Sequence, residues 1–101
     1  MAGKLVRDKI PEIMKAAGLT PVFRRLDKAK YKICLERKLE EETAEYLADK
    51  NLEELADILE VLWALAEADG YSKEELLAAC ADKHEKRGGF AQRIFLEESR
   101  E

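Results

Sequence analysis

Between Asn51 and Gly70 runs a segment that is apolar around most of its circumference when coiled as a helix. Val61, Leu65, Ile58, Leu62, Leu55, Leu59 and their neighbours cover about 220° of arc, against little more than 100° for an ordinary amphipathic helix. One neighbouring helix cannot cover such a surface, so the segment must be sandwiched. A chain of 101 residues has few other elements to do that. The expectation is a helical bundle whose core is completed by oligomerisation. A homodimer is the simplest form, closing a four-helix core by two-fold symmetry with Trp63 or Leu59 near the interface. The alternative is a monomer whose first and last helices flank this one.

Punctuation divides the rest. Pro11 suits the first turn of a helix from about Ile10 to Ala17, and Gly18 suits its end. Asp27 caps a long second helix to about Ala48, and Asn51 caps the third. Ser72 and Glu75 form a capping box for a fourth, with Tyr71 and Leu76 placed as a hydrophobic staple. That helix runs to about Lys86 and breaks at Arg87-Gly88-Gly89. Thr20 to Leu26 and Ile94 to Leu96 read as short extended pieces able to pair. The expected fold is all-α, about four helices with at most one minor two-stranded β element, in a single domain over 1–101.

Several chemistries are excluded. Acidic residues outnumber basic ones, 22 to 18, for a net charge of −4, which argues against a general nucleic-acid binder. Uncharged apolar stretches such as Val61 to Ala66 are too short to span a bilayer. The N-terminal residues become charged at Lys4 and do not resemble a signal peptide, so a cytoplasmic protein is expected. Cys34 and Cys80 form no CxxC, and His84 is the single histidine, leaving no material for a zinc site. The glycines fit neither GxGxxG nor GxxxxGK. Nucleotide chemistry here has to run without a phosphate loop.

The acids are more informative. On the second helix Tyr31, Leu35, Leu39 and Tyr46 form an apolar stripe, with Glu42 inside it and Glu45 at its edge. On the third, Glu54 falls between Val61 and Leu65, and Asp57 sits at the arc's edge. Glu53, Glu60 and Glu67 share the solvent side instead. A buried carboxylate is costly unless paired or bound to a metal. Glu42/Glu45 and Glu54/Asp57 are also i,i+3 pairs, symmetric about the turn between Asp49 and Lys50. In an antiparallel hairpin Glu45 comes level with Glu54 and Glu42 with Asp57. Four converging carboxylates demand a cation, and an oxygen-only cage suits Mg²⁺ or Mn²⁺.

Other readings stay open. Such pairs arise by chance in a charged chain, as Asp82/Glu85 shows. Glu54 fits the third position after the Asn51 cap and can serve as a capping-box residue. Glu41, Glu42 and Glu45 can simply pair with Lys38 or Lys50 in water.

Glu41-Glu42-Thr43-Ala44-Glu45 reads EExxE, and Glu54-Leu55-Ala56-Asp57 reads ExxD. That pairing on successive helices resembles the all-α nucleoside triphosphate pyrophosphatase superfamily, the MazG-like proteins. Lys4-Leu5-Val6-Arg7-Asp8-Lys9-Ile10-Pro11-Glu12 resembles the KLVRDKIPE start of its phosphoribosyl-ATP pyrophosphohydrolase-like subgroup of predicted house-cleaning enzymes. Arg87-Gly88-Gly89-Phe90 resembles that subgroup's RGGF.

The resemblance implies cleavage of a nucleotide between its α- and β-phosphates, giving a monophosphate and pyrophosphate. It implies Mg²⁺ held by Glu42, Glu45, Glu54 and Asp57, with Glu41 an outer member of the catalytic set. It also implies assembly as dimers or tetramers. Phosphates need cations from the protein, and the candidates are Lys4, Arg7, Lys9, Lys38, Lys83 and Arg87. The N-terminal motif is the best of these by resemblance, although Asp8 can merely hold Arg7 in place. Gly88-Gly89 either lets backbone approach a ligand or ends a helix. His84 reads as solvated, Cys34 and Cys80 as small helix residues, and Trp63 as packing rather than base stacking. Two other functions fit the same chain: phosphoribosyl-ATP pyrophosphatase of histidine biosynthesis, and a non-catalytic helical adaptor whose acids face solvent.

Overall fold

The computed structural model describes residues 3–101. Among them are four helices and no strand: α1 (Ile10–Ala16), α2 (Lys28–Asp49), α3 (Leu52–Ala68) and α4 (Lys73–Arg87). None is long and apolar enough to cross a membrane.

Local chemistry sets the boundaries. The Asp27 side chain accepts from the Lys30 N–H at 2.9 Å, and Asn51 accepts from the Glu54 N–H at 3.0 Å. Both satisfy donors that a helix start leaves unpaired. Ser72 and Glu75 complete a reciprocal box, with bonds of 3.0 and 3.2 Å. The second helix ends at Lys50, which takes left-handed φ 53° and donates its N–H to the Tyr46 carbonyl at 2.7 Å. The fourth ends at Gly88, whose φ of 79° any Cβ would strain. Helix termination is therefore a role that Gly88 fills.

The two-residue turn at Lys50 and Asn51 folds α3 back along α2, and an ion pair from Lys32 to Asp69 ties the open end of this hairpin. Helix α4 touches α3, and α1 makes no backbone-level contact with another helix. The interior is slight. Leu35 and Val61 are the buried apolar residues, at 3% and 7% exposure, where the two long helices meet. Along α3 the Leu52, Leu55, Leu59 and Leu62 side chains stay exposed. Helix α2 covers one side of the wide apolar arc and leaves this leucine side open.

The expected two-stranded element does not form among the described residues. Segments 20–26 and 94–96 are irregular, with Val22 at 98% exposure and Phe95 at 86%. β-Branched and aromatic residues favour a pleated, half-covered surface and not a backbone state of their own. With no face to cover these segments, no ladder forms. Pro21 also removes one ladder donor.

Candidate metal centre

The hairpin brings three of the four predicted acids together. One carboxylate oxygen from each of Glu42, Glu54 and Asp57 lies within 4.8 Å of the other two. Glu42 is buried at 7% exposure, the buried charged residue of the core, while Glu54 and Asp57 are half-buried. The Oε2 atoms of both Glu42 and Glu54 are shut away from solvent without a hydrogen-bond partner. A buried oxygen that none of the described residues satisfies needs a ligand or carries a desolvation cost.

Glu45 stands on the outside of this trio, exposed, beside Glu42. Burial pushes the Glu42 carboxyl above its ordinary value; a bond from Lys38 opposes this and the neighbouring Glu45 adds to it. Lys38 reaches two acids, Glu42 at 3.3 Å and Glu41 at 3.4 Å. Burial disfavours the Lys38 charge, but Glu41 and Glu42 outweigh it, and the ammonium is held above its usual value. Lys38 thus pairs with one oxygen of Glu42, Oε1, while the other, Oε2, is buried without a partner among the described residues.

The capping alternative for Glu54 is settled by comparison within the chain. Glu75, in the same position after Ser72, turns its carboxylate back onto the cap N–H. After Asn51 only the forward half of that arrangement forms, and the Glu54 carboxylate goes to the trio. The Lys50 alternative fails similarly: its ammonium lies over the Tyr46 ring, 5.9 Å from the centroid. Asp82, from the chance pair, makes an exposed bond to Lys86.

The cations divide into three groups. Arg7 donates to Asp57 at 2.6 Å and lies 3.9 Å from Glu60, so Asp57 and not Asp8 holds it. Lys4 and Lys38 line a cleft between residues 3–5 and α2. No ion pair joins Lys9, Lys83 or Arg87 to the trio among the described residues. Sequence reasoning passed over Arg37, which lines the same cleft. Its signal was the spacing Cys34, Arg37, Lys38, Glu41, a single helical face beside the apolar stripe.

The donor set is all oxygen, anionic and partly dehydrated, which fits a hard divalent cation better than zinc. An uncharacterized protein of Mycolicibacterium smegmatis (strain ATCC 700084 / mc(2)155) is 51% identical over 45 residues, which are 45% of this chain and 46% of that protein. The match therefore spans about half the length of each chain. No family model matches the sequence. No solved structure matches it either.

Proposed function

We propose that the chain is a divalent-metal-dependent nucleotide pyrophosphohydrolase of the MazG-like kind, acting as a homodimer on a noncanonical nucleoside triphosphate. The observation that carries this reading is the trio itself, with the unpartnered oxygens of Glu42 and Glu54 turned inward. A solvated adaptor would place these acids in water, whereas Glu42 is a core residue. The KLVRDKIPE resemblance gains support from Arg7, which its segment delivers to the edge of the trio.

Glu42, Glu54 and Asp57 would hold Mg²⁺ or Mn²⁺, with Glu45 at hand as the fourth carboxylate. When bound, such an ion offsets phosphate charge and lowers the pKa of water. Lys38 keeps the Glu42 side chain oriented through its bond to one oxygen. Arg7, half-exposed at the rim, supplies a guanidinium suited to bidentate phosphate contact. Water attack at the α-phosphate then releases a monophosphate and pyrophosphate.

The test is a screen of nucleoside triphosphates with Mg²⁺, reading pyrophosphate release. At least one is cleaved in a metal-dependent way, and Glu54→Gln slows it by about 100-fold or more. Metal-independent cleavage, or equal rates in Glu54→Gln, would contradict the reading.

A further inference from the structure

The folded chain exposes far more surface than its mass warrants. Its accessible area is 9309 Å², where a compact protein of 11.5 kDa is expected to show about 5,800 Å². The surplus is roughly 3,500 Å² per chain. A standard interface hides about 800 Å² on each partner, and an obligate one about 1,000–2,500 Å². Pairing one helix face with another does not use up such a surplus, so a projecting element has to be covered as well.

The arm formed by α4 and residues 88–101 is such an element. Helix α4 has no buried residue. Beyond it Phe90, Ile94, Phe95 and Leu96 stand 78–98% exposed. The hairpin, set by the 22 residues of α2, is about 33 Å long at 1.5 Å per residue. The molecule measures 63 Å along its longest axis, so elements outside the hairpin reach about 30 Å past it. The open leucine side of α3 is the arm's counterpart. Leu52, Leu55, Leu59 and Leu62 follow a 3-4-3 spacing, a straight apolar seam left exposed. Charge agrees with this pairing. Helix α3 has five acids and no base, whereas residues 83–93 hold Lys83, Lys86, Arg87 and Arg93 against Glu85 as their one acid. Lys83, Arg87 and Arg93 make no ion pair among the described residues.

We infer that the arm is exchanged between copies: Phe90 and Ile94 to Leu96 of one chain lie along the leucine side of α3 in a second. Two-fold symmetry makes the contact twice. The inference rests on the homodimer proposed above and adds which segment of one copy covers which surface of the other. The basic end of α4 then lies beside an acid-rich helix, which orients the arm.

The test places one thiol on each surface, in chains whose Cys34 and Cys80 are replaced by Ala. Leu59→Cys chains and Phe95→Cys chains are unfolded together, refolded and treated with a short bismaleimide. A link between positions 59 and 95 is then between copies by construction, and it is expected, at twice the chain mass of 11.5 kDa. Phe95→Ser, outside the helices, is expected to raise the dimer dissociation constant by about 100-fold or more, since each dimer holds that side chain twice. Light scattering on dilution reads it.

A dimer without the 59–95 link would overturn the exchange. A chain carrying both thiols that links only within itself would do the same, by placing the tail on its own α3. An unchanged dissociation constant in Phe95→Ser would overturn the arm's part in the interface and leave the homodimer intact. A wild-type chain that scatters as a folded monomer would bring down the homodimer and the exchange together.

Discussion

Glu42 carries an uncompensated cost in the metal-free chain. One oxygen meets Lys38, the other is buried without a partner among the described residues, and the carboxylate as a whole neighbours those of Glu54 and Asp57. Burial holds its carboxyl above the ordinary value of 4.5 despite Lys38, and Glu45 reinforces the rise. A group that binds its proton more tightly when folded lowers stability as pH rises. The penalty is absent below the ordinary value and in full force above the raised one. At neutral pH in chelator, Glu42→Gln should therefore melt at or above the wild-type temperature, and its advantage should vanish in acid. A fall of more than about 4 °C, the equivalent of roughly 1 kcal/mol in a domain this small, would show that the bond to Lys38 outweighs the repulsion. That Glu42 would be buried followed from its place in the stripe of Leu35, Leu39 and Tyr46. That Glu45 would stay outside did not, because an i,i+3 neighbour at the edge of a stripe has rotamers facing either way.

The element that positions the site is the α2–α3 hairpin, and its turn was legible from the Asn51 cap and the symmetry of the acids about it. Caps act on the adjacent turn of backbone, so the four helix boundaries appear where Asp27, Asn51, Ser72 and Gly88 put them. The two short extended pieces are the opposite case. A strand is made by its partner, and nothing within 20–26 or 94–96 specifies one. Asn51 has a double role, since it starts α3 and fixes the register at which Glu54 meets Glu42. Asn51→Ala should cost about 1 kcal/mol, from loss of the bond to the Glu54 N–H. Urea unfolding followed by circular dichroism measures it: the midpoint falls with little change in slope. An unchanged midpoint would mean that tertiary contact alone holds the start of α3.

At the scale of the molecule, the chain alone has too little interior. Its radius of gyration is 18.0 Å, where a compact domain of this length is expected near 13 Å. Among the described residues nothing covers the Leu52, Leu55, Leu59 and Leu62 side of α3. Light scattering at micromolar concentration should give at least twice the chain mass of 11.5 kDa, and Leu59→Glu should lower that mass and the stability together. A folded species at the single-chain mass would contradict the dimer. A metal bound by the trio would make its own demand on the fold, because a ligand bound only by the folded state stabilises it by mass action. The decisive measurement is thermal melting of wild type and Glu54→Gln across a Mn²⁺ titration, each against chelator. At Mn²⁺ about 100-fold above its dissociation constant the gain is about 2.7 kcal/mol, or roughly 10 °C and more for a domain of this size. The account predicts that rise in wild type and less than about 2 °C in Glu54→Gln; equal rises in both, or none in wild type, would contradict a metal centre at Glu42, Glu54 and Asp57.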